Sequence, residues 1–533
     1  MMTPLNLKSR LAHLAAYKNL NAFGWAALAA FALLPSSSRA DDWTMWGRTP
    51  NRNMVSPEKN PPINWNWDGD DPTKNQNIKW SQQLGSKAYG NPCVANGIVT
   101  VGTNNFGPLA DPKTLDPNGK PIDGGVEIAF DEATGKLAWQ EYYAKLAAGR
   151  VNDWPGEGLC STAYAEPGKI WYCTNQCHLV CLDVSPANGN QPKVVWDVDL
   201  MAKLGVFPHN MTASSPVTHG DLMYIETGNG VDDTHKHVVA PNAPGIVCVN
   251  KNTGEVKWTD NSPGRNVLHG QWSSIAIAEV NGRALAIAPM GDAWVRAFDA
   301  ETGKLVWKFD ANTKDSIYPQ GGRNEIIATP CIIDNKWMYI ATGQDPEHST
   351  GFANFWCVDI TKTGDVSAQI DNPAYKAPVP GQELVAGAGN GISKGVPNPN
   401  SAVKWLFGPG KTGDKETNRM HRSMATATVY NGLVFIPDFS GYFHCLDAET
   451  GKQYWCFDSQ AEMWGSALAC DGKIYVGDGA GNVSIFKADK AEASATPIAQ
   501  HDMGASVFGS PVYANGTLYI LSMQRLFAIS EKK

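Results

Sequence analysis

Lys87, His209, His269, Arg323, Arg419, His421 and Arg422 each stand a few residues ahead of a short apolar run, in a chain of net charge −8. Asn210, Trp272, Asn324 and Trp464 occupy matching places. If one scaffold gathers these groups, the chemistry is recognition of an anion, because guanidinium, ammonium and imidazole groups together raise the local concentration of negative charge and hydrogen-bond it. The competing use is to satisfy carbonyls and carboxylates within the loops. Two further segments, Asp232-Asp233-Thr234-His235-Lys236-His237 and Gln344-Asp345-Pro346-Glu347-His348, mix hard oxygen donors with imidazoles, as a metal site does. Asp345 is the metal-ligand candidate of the second, although Asp345-Pro346 is also ordinary turn chemistry. No Ser-His-Asp arrangement and no phosphate-cradling glycine loop before a helix is present, and the acidic balance argues against nucleic acid as partner.

The elements that must position these groups repeat. An apolar run, an Asp, a Thr-Gly-Lys-like turn and a Trp recur, most clearly at Ala297-Phe298-Asp299-Ala300-Glu301-Thr302-Gly303-Lys304-Leu305-Val306-Trp307 and from Cys445 to Trp455. Other copies end at Trp139, Trp196 and Trp258, another runs from Cys357 to Trp405, and the copy at Val483 to Lys487 has lost its Trp. Upstream of each lie two apolar runs joined by Asn-Gly or Asp-Gly, the signature of a two-residue hairpin turn with positive φ. Each unit therefore reads as four strands, A to D, with D ending at Trp. An all-β repeat of this length predicts a propeller. The last unit stops after strand C at Ile529, and its missing D strand stands at the other end, Ile78-Lys79-Trp80-Ser81. The reading is one all-β domain, an eight-bladed propeller over residues 41–533, whose ring closes by pairing the two termini and so removes exposed edges.

In such a ring the D–A loops lead into the innermost strands and share a face with the B–C loops. These are the elaborated loops, for example Tyr143 to Cys160 and Asp260 to Ser273, whereas most A–B and C–D turns are tight. The exception is residues 362–402, which read as an exposed loop insertion. Function concentrates on elaborated loops of a rigid scaffold, so this face is the site candidate.

Residues 1–40 have a secretory layout: Lys8, Arg10 and Lys18, an apolar stretch from Ala22, then Ser38-Arg39-Ala40. The stretch is too short for a membrane span, and no Cys stands at the cleavage point for a lipid anchor. The expected location is periplasmic or secreted. Of the eleven cysteines, Cys181, Cys248, Cys357 and Cys445 share the strand-C position that Ala129 and Ala297 hold elsewhere, so they read as small buried apolar groups. Cys445 with Cys456 remains an open cross-strand disulfide pairing.

The repeated phrase resembles the pyrroloquinoline-quinone (PQQ) enzyme repeat, Ala-x-Asp-x-x-Thr-Gly-x-x-x-Trp, and Trp43-Thr44-Met45-Trp46-Gly47-Arg48 resembles the opening of exported proteins with that repeat. From about Trp43 to Ile529 the chain is similar to the PQQ-like-repeat propellers, which include quinoprotein alcohol dehydrogenases and non-enzymatic outer-membrane assembly propellers. In the dehydrogenases Ca²⁺ organises the quinone through Glu and Asn ligands, an Asp is the base, and adjacent cysteines form a disulfide. Thr227-Gly228-Asn229-Gly230 resembles the segment carrying the Asn ligand, which makes Asn229 the implied metal and cofactor contact. Lys87, His209, His269, Trp272, Arg323 and Arg422 complete the candidate cofactor-binding set, with Asp345 as a second metal candidate. The segment usually read as His-Asp-x-Trp-Asp is here His269-Gly270-Gln271-Trp272-Ser273, without either acid, and no two cysteines are adjacent. Glu166 lies on the hairpin at the wrong end to serve as the ligand Glu. A missing base forfeits about 10²–10⁴ in rate. The expectation is a binding propeller without dehydrogenase activity, holding an anionic small molecule, a glycan or a protein partner at the funnel. The other reading is a PQQ- and calcium-dependent dehydrogenase oxidising an alcohol or sugar.

Overall fold

Eight antiparallel four-stranded sheets follow one another in a computed structural model that describes residues 41–185, 188, 191–319, 322–348, 350–375 and 393–531. Blade 1 runs from strand A, Cys93–Ala95, to strand D, Leu137–Ala144; blade 2 from Tyr164–Glu166 to Lys193–Asp199; blade 3 from Val217–His219 to Val256–Asp260. Blade 4 spans Ala276–Val280 to Leu305–Asp310, blade 5 Cys331–Ile333 to Val403–Phe407, blade 6 Thr428–Tyr430 to Gln453–Asp458, and blade 7 Leu468–Cys470 to Ala499–Asp502. Blade 8 takes strands A to C from Val512 to Ile529 and strand D from Ile78–Gln83, with Trp80 opposite Ala528. The predicted closure is therefore present. The hairpin asparagines and Asp471 have positive φ, 55° at Asn96 and 54° at Asn515, as their turns require. The described residues contain one α-helix, Leu200–Leu204.

The repeat has a packing reason. In seven blades the motif Trp stands directly across from a small residue of strand C: Trp80 from Ala528, Trp139 from Ala129, Trp307 from Ala297, and Trp196, Trp258, Trp405 and Trp455 from Cys181, Cys248, Cys357 and Cys445. The indole then reaches the Thr-Gly turn of the next blade. A Cβ added to Gly303 would meet the Trp258 ring at 2.7 Å, and one on Gly451 the Trp405 ring at 2.6 Å. Trp258 Nε1 donates to Ala300 O at 2.9 Å and Trp405 Nε1 to Ala448 O at 3.1 Å. Blades 5 and 7 lack that glycine turn, and the indole N–H groups of Trp307 and Trp455, in the blades before them, are buried with no partner among the described residues. Trp258→Ala should cost about 3–5 kcal/mol as a buried aromatic truncation, measured by urea unfolding, and Trp307→Ala somewhat less because no hydrogen bond is lost. Equal costs below about 1 kcal/mol would remove the packing role.

This register also settles the cysteines. All eleven are free, and Cys456 stands opposite His444, not Cys445, so the two sulfurs point to different faces of blade 6. Strand side chains alternate with period two, which is why the pairing considered from sequence does not form. The described parts of the insertion include strands: Gly364–Asp365 adds a parallel strand to the edge of blade 4 at Trp307, and Gln369–Asp371 pairs with Gly395–Pro397. Residues 1–40, which the sequence suggests are a secretory segment, lie outside the described residues.

Two devices join the blades at the axis. A polar residue two positions before strand A accepts the backbone N–H of the preceding blade: Asn91 N to Thr162 Oγ1 (3.0 Å), Thr162 N to Ser215 Oγ (3.0 Å), Ser215 N to Ser274 Oγ (2.8 Å). A second run, from Thr426 through Ser466 and Ser510, returns to Asn91 Oδ1, so among the described residues the belt links every blade but the fifth. Across the channel runs the segment from Trp43 to Ser56, which accepts edge N–H groups of Val94, Ala165, Ile277, Ile332 and Ala469. At its centre the Arg52 side chain, fully buried, donates to Trp46 O, Ser215 O and Ile275 O at 2.8 Å each.

Candidate functional site

Above the belt the loops enclose a cavity of about 470 Å³, lined by residues entering strand A in all eight blades. Trp46, from the segment crossing the channel, also lines it. Its walls are aromatic: Tyr89, Trp154, Trp272, Trp464 and Phe508. Trp464 stacks on Phe508 with ring centroids 4.1 Å apart, and Tyr89 lies almost parallel to Trp464, 11° away. The charged lining groups are Lys87, ion-paired to Glu157, and the carboxylates Asp345 and Glu347. The wall is aromatic and acidic, not the cationic funnel the sequence suggested.

Beside this cavity four imidazoles converge from four different loops. His269 lies in the loop between blades 3 and 4, His209 in the loop between blades 2 and 3, His235 in the B–C loop of blade 3 and His348 in that of blade 5. The His269 ring centroid is 4.4 Å from His209, 4.4 Å from His235 and 5.1 Å from His348. Asp345 Oδ2 is 3.1 Å and Glu325 Oε1 3.6 Å from His269 Nδ1. Tyr318 donates its hydroxyl to Glu325 Oε1 at 2.8 Å and lies 3.1 Å from His348 Nε2. Burial, the main cause, lowers His209 to about 3 and His269 to about 4, and raises Glu325 to about 7 and Asp345 to about 6. At neutral pH the two buried imidazoles are thus uncharged and carry lone pairs.

The predicted residues divide between these places. Lys87 and Trp272 line the cavity, as do Asn210 and Trp464. His209 and His269 are buried behind it, with Trp272 Nε1 donating to His209 O at 2.9 Å. Asn229 faces neither: it is buried, its Oδ1 accepting from Phe207 N and its Nδ2 donating to Ala240 O. Arg323 pairs with Asp310 at 3.2 Å and donates to Asp292 O. Arg422 is buried and donates to Asn324 Oδ1 and His348 O, so it clamps the loop carrying His348. Arg419 pairs with Glu416, and His421 with Glu416 and Asp438. The loop charges at these positions thus serve the loops. Of the segment from Asp232 to His237, His235 reaches the imidazole group, while Asp232 Oδ1 anchors the turn by accepting from Thr234 N and Lys236 N. Sequence reasoning missed Tyr318 and Glu325, which carry no repeat signal, and the cavity aromatics Trp46, Tyr89, Trp154 and Phe508.

The quinone and calcium of the dehydrogenases find a poor fit. The Asn229 amide is committed at both ends, and Gly270 offers no side chain. Ser273 donates its hydroxyl to Ala328 O at 2.8 Å. The hard anionic oxygens that a calcium site needs are absent from these positions, and no step through that group is drawn.

Comparisons with known proteins agree with the ring. The family model of the outer membrane protein assembly factor BamB matches residues 178–316 and 405–532, half of the chain. Among solved structures the chain is similar to BamB from Moraxella catarrhalis, at 12% identity over 85% of this chain and 97% of that one, with a TM-score of 0.51. It is also similar to the quinohemoprotein alcohol dehydrogenase from Comamonas testosteroni, at 15% identity over 94% of this chain and 82% of that one, with a TM-score of 0.58. No curated protein matches the sequence. At such identities the likeness to solved structures shows the fold alone, a scaffold that hosts both enzymes and non-enzymes. No described helix is long and apolar enough to cross a membrane. By its repeats, its eight-bladed ring and the family model it matches, the chain belongs to the BamB family of PQQ-like-repeat propellers.

Proposed function

We propose that this protein is an exported binding propeller that holds a ligand in the aromatic cavity over its channel and has no quinoprotein dehydrogenase activity. The observation that carries the reading is the wall itself, a stack of Tyr89, Trp464 and Phe508 facing a cavity of about 470 Å³. Concave, largely apolar sites with a few polar groups are where small molecules bind, and stacked rings receive flat apolar faces. Because Lys87 is already paired and the other charged lining groups are carboxylates, an anionic small molecule is disfavoured. Among the expected ligands a neutral glycan fits best. The secretory layout of residues 1–40 supports a ligand met outside the cytoplasm, and a protein partner on the same face is the reading closest to an assembly factor.

The test is a tryptophan-fluorescence titration of the mature chain with a panel of neutral and acidic oligosaccharides. A neutral member should change the emission saturably, and Trp464→Ala should weaken that binding at least about tenfold, as truncation of a central aromatic does, with the fold intact by circular dichroism. Saturable binding of acidic sugars alone, or binding indifferent to Trp464→Ala, would contradict the site.

A further inference from the structure

We propose that His269, His348, Glu325 and Asp345 form a binding site for one divalent transition ion of the zinc class, at the wall of the aromatic cavity. The argument begins with protons. His209 Nδ1 donates to Val231 O at 2.7 Å, so its Nε2 carries a lone pair. That nitrogen is 2.8 Å from His269 Nε2, which is therefore the donor of this pair. His269 Nδ1 is left as a lone pair, fully buried and 3.1 Å from the Asp345 carboxylate. That nitrogen and the oxygens of Asp345 and Glu325 are turned on one another at 3.1 and 3.6 Å, the arrangement of acceptor atoms that a cation would join.

The unpartnered atoms make the same point. His269 Nδ1, Glu325 Oε2 and Asp345 Oδ1 are buried and find no hydrogen bond among the described residues, a costly arrangement for polar groups away from water. Ligating atoms of His269, Glu325 and His348 all lie within 4.8 Å of one another, and Asp345 stands between His269 and His348. Two imidazoles with two carboxylates suit zinc and its neighbours, while magnesium and calcium call for an all-oxygen set. The second shell is already built. The chain from Val231 O through His209 fixes the His269 tautomer, and Tyr318 holds Glu325, as outer partners of metal ligands do. Asp345 also lines the cavity, so an ion held here would stand at the wall where the ligand of the proposed function binds, although this inference does not rest on that function.

The experiment is equilibrium dialysis of tag-free, chelator-stripped protein against Zn²⁺ alone, with metal content read by elemental analysis. Co²⁺ uptake serves as a second probe, its visible bands reporting nitrogen and oxygen ligands. The expected result is one Zn²⁺ per chain, lost in the double variant Asp345→Asn, His348→Ala. His209→Gln should weaken binding by about 10–100-fold, the usual cost of an outer-shell change. Glu325→Gln keeps the shape of the side chain and gives an independent readout should the double variant fold poorly. Trp464→Ala should bind Zn²⁺ as the wild type does, which separates this site from the ligand reading. Failure of the wild type to take up Zn²⁺, or uptake unchanged in both the double variant and Glu325→Gln, would overturn the proposal.

Discussion

Replacing Arg52 with methionine should destabilise the ring by about 3 kcal/mol or more, seen as a lower urea midpoint. The guanidinium is fully buried and pairs with no carboxylate among the described residues; burial alone lowers it to about 9, so it remains charged at neutral pH. It donates four hydrogen bonds, to the carbonyls of Trp46, Ser215, Pro216 and Ile275. Methionine fills similar volume but strands those carbonyls, each at a cost of about 1–3 kcal/mol, partly offset because a charge is no longer buried. Lysine should do little better, since a single ammonium cannot reproduce the planar fork. Because Trp46 lines the ligand cavity, Arg52→Met should also weaken ligand binding. A stability change within 0.5 kcal/mol, the range of an ordinary surface substitution, would mean that the crossing segment does not join blades 3 and 4.

Asp438→Asn should cost about 3–5 kcal/mol, the usual result of removing one partner from a buried charged network. Asp438 is fully buried in blade 6 and accepts from His421 Nδ1 and His444 Nε2, both at 3.1 Å, and from Ser440 N and Tyr442 N. Burial opposes its charge, but these donors outweigh burial and hold it below the usual carboxylate range. Burial likewise opposes charge on His421, and the hydrogen bonds and charges of Asp438 and Glu416 outweigh it, so His421 is raised. A depressed carboxylate stabilises above its unfolded value, about 4, and that contribution is lost as pH falls through the folded value. A raised histidine stabilises fully below its unfolded value, about 6.5, and that contribution is lost as pH rises through the folded value. The network should therefore support the fold most between about pH 4 and 6.5. In Asp438→Asn much of the stability lost on going from mildly acidic to alkaline pH should disappear. An unchanged pH profile would show that His421 draws its charge from the exposed Glu416 alone.

Much of the ring was legible because its packing is periodic. Each Trp needs a small residue opposite and a glycine turn in the next blade, so Ala, Cys and Thr-Gly recur at fixed offsets. The broken last unit and the orphan Ile78-Lys79-Trp80 exposed the closure. The segment from Trp43 to Ser56 belongs to no repeat, and nothing in its sequence says that Arg52 will lie between blades 3 and 4. A further signal was there to be read: a Ser, Thr or Asn two places before strand A, as at Asn91, Thr162, Ser215, Ser466 and Ser510, marks the belt around the channel. Loop lengths pointed to the elaborated face, but counting charges along loops could not foresee partners. Arg323 finds Asp310, Lys87 finds Glu157, and both lose their role as free cations. The imidazole group was largely visible: His209, His269, Asp345, and His235 and His348 within the two mixed-donor segments, all stood out in the sequence. Glu325 and Tyr318 did not, and only the fold brings these loops, far apart in the chain, together.

The central claim is that this ring binds without oxidising. Its most direct test is to reconstitute the mature protein with PQQ and Ca²⁺ and follow dye reduction with alcohols and aldose sugars as substrates. The account predicts no substrate-dependent reduction above the rate of PQQ and Ca²⁺ without protein, because Asn229, Gly270 and Ser273 supply neither the calcium ligands nor the base. Turnover that requires PQQ, Ca²⁺ and substrate together, at about 1 s⁻¹ or faster as ordinary enzymes achieve, would contradict it.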